Sequence, residues 1–177
     1  KRSNFDRKPR DFYETIDPKA LPESFKDLIR GRKYYEPCCG GGKLADQLKD
    51  VATLVGASDI EPQGFGVKKD AFDLKPEDLV GVDCLITNPV FDRKVLLPMI
   101  DHFVGLKPTW LLLPADYMHN AYFGPYMEKC TRVVSIGRIC WFPTDEGKRV
   151  ASTENFCWYF WPKNATKDCV TEFKGRV

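Results

Sequence analysis

The chain has 177 residues, 43% of them hydrophobic and 13% aromatic, enough for one well-filled core, so a single domain over residues 1–177 is expected. With 27 basic against 25 acidic side chains the formal net charge is +2; no global field draws the protein onto a polyanion, and any nucleic-acid contact must be local. No apolar run approaches the roughly 20 residues that span a bilayer, no signal peptide opens the chain, and the odd number of cysteines favours reduced thiols, so a soluble cytoplasmic protein without a membrane partner is expected.

The amino end is basic. Lys1, Arg2, Arg7, Lys8 and Arg10 stand with Pro9 among few apolar residues, which reads as a flexible arm, either a solvated tail or a phosphate contact. From Arg30 onward short apolar runs alternate with helix-like stretches, the pattern of an α/β fold with a largely parallel sheet. Residues 33–36 form a first strand that stops at Pro37 and a glycine cluster, and 43–49 a helix with Leu44, Ala45 and Leu48 on one face. Strands are predicted at 53–57 and 66–68. A buried strand follows at 84–87, stopped at Asn88-Pro89 because proline cannot continue the ladder. Asp92 is placed as the N-cap of a helix through Phe103, which Pro98 should kink or divide. A fifth strand at 110–113 precedes a broken helix over 116–129. Residues 132–139 and 156–161 close the sheet as a hairpin, joined by a long loop over 142–155, a length that points to function. Cysteine and histidine spacing gives no zinc site: there is no CxxC pair, and His102 and His119 lack ligand-like spacing to a cysteine.

In an open α/β sheet, ligands bind beyond the carboxyl ends of the strands, where a glycine turn lets the backbone approach closely. Glu36-Pro37-Cys38-Cys39-Gly40-Gly41-Gly42 is such a turn. Asp59, about 20 residues on, ends the second strand where a carboxylate can accept from both hydroxyls of a ribose. The G-x-G-x-x-G spacing is missing, which disfavours a nicotinamide dinucleotide.

Taken in order, these segments resemble the Class I S-adenosylmethionine-dependent methyltransferases, and within them the N6-adenine type, over most of the chain. Asp11-Phe12-Tyr13-Glu14-Thr15 is similar to the family's amino-terminal cofactor motif, which implicates Tyr13 and Thr15. The Glu36 to Gly42 turn is similar to its main cofactor loop, with Glu36, Pro37, Cys38, Gly40 and Gly42 as contacts. Asp59-Ile60-Glu61 resembles the ribose motif, and Asp70-Ala71-Phe72 the motif that meets the adenine ring. Asn88-Pro89-Val90-Phe91 matches three positions of Asp/Asn/Ser-Pro-Pro-Tyr/Phe/Trp, with Val90 where the family usually has a second proline.

The resemblance implies a Rossmann-like fold, a mostly parallel seven-stranded sheet with a terminal antiparallel hairpin, S-adenosylmethionine as cofactor, and DNA or RNA as substrate. Asn88 and Pro89 would accept the two N–H groups of the target amine, Asn88 would also meet the cofactor, and Phe91 would stack on a flipped base. Phe142, Thr144, Lys148, Arg149 and Ser152, in the loop before the last strand, are candidate substrate contacts. A short enzyme of this kind is similar to bacterial and phage-encoded ones, so the cytoplasm of a bacterium or of a phage-infected cell is the expected setting. No room remains for a large target-recognition domain, so a specificity partner or an oligomer is expected. A protein glutamine amide poses the same planar-nitrogen problem and is an alternative acceptor; a cofactor-binding module without activity is another.

Overall fold

The structure, a computed structural model, describes residues 13–142, 151–166 and 171–175. Its centre is one eight-stranded sheet. In chain order the strands are β1 (Lys33–Glu36), β2 (Thr53–Asp59), β3 (Val67–Lys68), β4 (Cys84–Thr87), β5 (Thr109–Pro114), β6 (Arg132–Gly137), β7 (Phe156–Trp161) and β8 (Glu172–Lys174). Across the sheet they run β3-β2-β1-β4-β5-β7-β6-β8. The first five are parallel, β7 is antiparallel to both neighbours, and β8 is parallel to β6.

Side-chain alternation explains why the middle of the sheet is covered on both faces. Leu85, Leu111, Leu113, Tyr159 and Trp161 point to one side and pack with the helix α3 (Arg93–Leu106), whose Leu96, Met99, Ile100 and Phe103 recur at helical spacing. Cys84, Ile86, Trp110, Leu112 and Trp158 point to the other. There they meet α1 (Glu23–Ile29) and α2 (Lys43–Leu48), through Phe25, Ile29, Leu44 and Leu48. Trp158 fixes that layer: its indole N–H donates to the Ala20 carbonyl at 2.7 Å and its ring lies 4.3 Å from Phe25 at an interplanar angle of 5°.

Two expectations need correction. Among the described residues the sheet has eight strands, not seven, because Glu172–Lys174 pairs with β6 along Arg132 to Val134. This short, largely exposed edge carries no apolar alternation to announce it. Pro98 does not divide α3, which runs through it; Pro98 and Lys94, whose carbonyl loses its partner, are both exposed, so water can replace the lost bond. The stretch after β5 is broken as expected, into turns Ala115–His119 and Ala121–Phe123 and the short helix α4 (Gly124–Met127). No helix among the described residues is long and apolar enough to cross a membrane.

The chain leaves β1 toward β2 on one side, while β4 lies on the other. This reversal opens a crevice beyond the carboxyl ends of β1, β2 and β4, the place where a doubly wound sheet offers room for a ligand.

Candidate active site

β1 delivers the chain into the glycine turn, and α2 starts directly after it. Gly42 is the N-cap of α2 with φ +79°, a left-handed geometry that favours glycine. A Cβ there would stand 2.5 Å from the Phe65 ring, so the start of α2 sits against the β2–β3 connection. Asp59, at the end of β2, holds the turn from the other side: one carboxylate oxygen accepts from the Gly40 N–H at 2.9 Å and the other from the Glu61 N–H at 2.8 Å.

Beyond these strand ends lies a cavity of about 910 Å³. Of the residues singled out for cofactor binding, Tyr13, Thr15, Glu36, Pro37, Cys38, Gly40, Asp59, Ile60, Asp70, Ala71, Phe72 and Asn88 line it, as does Pro89. Gly42 does not; it supports the wall through α2. Glu14, Lys43, Gln63, Val90, Asp92, Val95 and Met99 also line the cavity. Of these only the i, i+4 pair Val95 and Met99 on α3 could have been found from periodicity. Ile60 and Phe72 keep 48% and 42% of their surface exposed, which leaves apolar walls for a flat ring.

The cavity is electronegative. Among its described lining residues Glu14, Glu36, Asp59, Glu61, Asp70 and Asp92 bring carboxylates and Lys43 the one ammonium. Glu36 is only 2% exposed, and one of its carboxylate oxygens is buried with no hydrogen-bond partner. Burial first, and the charge of Asp59 second, push its pKa well above the usual carboxylate range. The same causes, with Glu36 ahead of Asp59, push the Cys39 thiol up to about 12, and burial with Asp59 raises Cys38 further. Neither cysteine is a nucleophile at neutral pH. A cation beside Glu36 would favour its deprotonated form.

β4 carries the chain to the opposite wall. The Asn88 side-chain N–H donates to the Tyr13 carbonyl at 2.6 Å. Since only the amide NH₂ can donate to a carbonyl, this bond fixes which way the amide points. Its oxygen is left buried without a partner beside the cavity, an arrangement that costs about 1–3 kcal/mol until a donor arrives.

Phe91 stands next to this position but outside the cavity lining. It is half-buried in an aromatic group with Tyr13 (centroids 6.2 Å apart, interplanar angle 14°), Trp141 and Phe156. Trp141 and Phe142, which follow β6, also meet Tyr13 at 5.9 and 5.6 Å, so the start of that loop lies at this edge of the sheet. Ser152 belongs to the same loop but does not line the cavity: its N–H donates to the Ile139 carbonyl at 2.8 Å and its hydroxyl accepts from the Glu154 N–H at 3.0 Å. Thr144, Lys148 and Arg149, and the basic arm over residues 1–10, lie outside the described residues.

The segment lacks a second proline, and other contacts hold it. Tyr117 donates its hydroxyl to the Phe91 carbonyl at 2.9 Å, and Asp92 caps α3 by accepting from the Lys94 N–H at 2.9 Å. Tyr117→Phe removes one neutral hydrogen bond worth about 0.5–1.5 kcal/mol. We expect it to lower folding stability by about that amount, read as a fall in the midpoint of denaturant unfolding.

No family model and no curated protein matches the chain. Solved structures do. A proposed RNA methyltransferase from Pyrococcus horikoshii superposes with a TM-score of 0.63 at 15% identity, over 91% of this chain and 94% of that one. The M protein of the type I restriction enzyme EcoKI gives 0.53 at 12%, over 97% of this chain and 49% of its own. A chain of the E. cuniculi Mtq2–Trm112 complex, responsible for methylation of the eRF1 translation termination factor, gives 0.53 at 14%, over 86% and 98%. At such identities the likeness is one of fold, and that fold is the Rossmann-like one of class I methyltransferases.

Proposed function

We propose that the chain is an S-adenosylmethionine-dependent methyltransferase acting on the exocyclic N6 amino group of adenine in DNA or RNA. The observation that carries this reading is Asn88: its nitrogen is bound to the Tyr13 carbonyl, and its buried oxygen lacks a donor beside a cavity rich in carboxylates.

The residues fit the cofactor. The partnerless oxygen of Glu36 suits an ammonium N–H. The Asp59 oxygens each accept one backbone N–H and have lone pairs left for ribose hydroxyls. Ile60 and Phe72 offer apolar faces to an adenine. When bound, S-adenosylmethionine supplies an electrophilic methyl on a cationic sulfonium.

The chain's own task is the acceptor. An adenine amine is a weak nucleophile because its lone pair is delocalised into the ring. Asn88 Oδ1 and the Pro89 carbonyl would accept its two N–H groups, favour a pyramidal nitrogen and aim the lone pair into the cavity. No base is required before transfer, because the nitrogen becomes acidic only once alkylated; the proton then leaves to water. The aromatic group of Phe91, Tyr13 and Trp141 would offer the base a stacking surface, worth about 1–3 kcal/mol per base in comparable sites.

A protein amide is the second reading. It is favoured by the likeness to the Mtq2–Trm112 chain and by the negative charge of the cavity lining, which is unfavourable to phosphates. Labelled methyl transfer to pools of DNA, RNA and denatured protein separates the two. Label in adenine of DNA or RNA is the expected outcome; label confined to protein would overturn the nucleic-acid assignment.

A further inference from the structure

Residues 13–17 reach the site without belonging to a helix or strand, yet polar ties hold this strap to four parts of the molecule. The Tyr13 carbonyl accepts from Asn88 at 2.6 Å. Glu14 Oε1 accepts from the Gly41 N–H at 3.1 Å. The Thr15 carbonyl accepts from the Gln47 amide on α2, and Asp17 accepts from the Cys140 N–H, in the loop after β6, at 2.9 Å. Two adjacent residues thus join the two halves of the site: the carbonyl that orients the Asn88 amide is one residue away from the carboxylate that closes on the glycine turn.

Gly41 points the same way. Unlike Gly40 and Gly42 it has no left-handed φ, so its backbone does not demand glycine. A Cβ there would stand 2.4 Å from Glu14 Oε1, while the next atoms, at 3.6 and 3.7 Å, are at ordinary contact distance. The space that Gly41 leaves empty is the space into which Glu14 reaches. Because the clashing atom is the free end of a flexible side chain, an added methyl would expel Glu14 and leave the turn itself in place.

We infer that Glu14 is a positioning residue: by fastening the strap to the cofactor turn at Gly41, it holds the Tyr13 carbonyl where it sets the acceptor oxygen of Asn88. The inference builds on the proposed methyltransferase reading, and its structural part stands apart from that reading. Glu14→Ala and Gly41→Ala remove the same contact from opposite sides, and the double variant does no more than either. Glu14→Gln keeps an oxygen that can accept from Gly41.

The test is a double-mutant cycle with two readouts. The first is the side-chain amide signal of Asn88 in ¹H–¹⁵N spectra of the protein without cofactor, assigned by its loss in Asn88→Ala. It is expected to be shifted from the free-amide position and slow to exchange in the wild type and in Glu14→Gln, and to move toward the free-amide position in Glu14→Ala, Gly41→Ala and the double variant alike. The second is kcat on an acceptor that the wild type methylates, expected to fall about tenfold in each single variant, as befits loss of a hydrogen bond to a charged group, and no further in the double variant. Multiplying losses, or a Glu14→Gln variant as impaired as Glu14→Ala, would overturn the latch. An unchanged Asn88 signal in Glu14→Ala would also overturn it. If the signal behaves as expected and no acceptor is methylated, the latch stands and the methyltransferase reading falls.

Discussion

Replacing Asn88 with alanine is expected to lower kcat about 100- to 1000-fold, the range for removing one oriented polar group that acts on charge developing in a transition state. The cofactor side of the cavity keeps Glu36 and Asp59, so S-adenosylmethionine affinity should change far less than the rate. Asn88→Asp separates the two roles of the amide. It keeps an oxygen for the target amine but places a second oxygen against the Tyr13 carbonyl, where the wild type has an N–H at 2.6 Å. An intermediate loss is expected, with the strap loosened. Initial-rate kinetics alongside calorimetric affinity check both variants; equal losses in rate and binding for Asn88→Ala would assign the residue to the cofactor alone.

Glu36→Gln is expected to weaken S-adenosylmethionine binding about thirtyfold or more, the lower bound for truncating one member of a buried charge pair. The same variant should make the protein without cofactor more stable at neutral pH. The folded-state pKa of Glu36 is raised, so between the unfolded value near 4.3 and the folded one the native state binds the extra proton. Stability then falls as pH rises through that window, because unfolding releases a proton. Glutamine removes this penalty, so Tm of Glu36→Gln should exceed that of the wild type at pH 7, and the gap should close as pH falls toward 4. By the same linkage, binding of a cation at deprotonated Glu36 expels the proton, and wild-type affinity should rise with pH while that of Glu36→Gln does not. Thermal melts across pH and titrations in two buffers of different ionisation enthalpy read these effects. A Tm gap that widens in acid would contradict the assignment of Glu36.

The parts of the site legible in the sequence are those encoded locally. Cys84 to Thr87 is an apolar run closed by Asn88-Pro89, and the structure shows a fully buried strand ending there. The turn after β1 and the carboxylate ending β2 were legible because a sheet with crossovers brings consecutive strand ends to one edge. What escaped was set by tertiary contact. Glu14 meets Gly41 across 27 positions and Tyr117 meets Phe91 across 26, and neither pair has a periodicity or a motif that links it. The aromatic group around Phe91 was not legible either, because Tyr13, Trp141 and Phe156 reach it from three separate segments. β8 was missed because a three-residue exposed edge needs no apolar pattern. The count of carboxylates around the cavity was likewise invisible, since Glu14, Glu36, Asp59, Asp70 and Asp92 come from five separate segments.

The most direct test is a single-turnover experiment with methyl-labelled S-adenosylmethionine pre-bound to the wild type and to Asn88→Ala, chased with adenine-containing DNA or RNA. Both proteins are expected to hold the cofactor, and the wild type alone to pass label to the N6 position at an appreciable rate. Failure of the wild type to bind S-adenosylmethionine, or transfer by Asn88→Ala at the wild-type rate, would contradict the role of this cavity and of its asparagine.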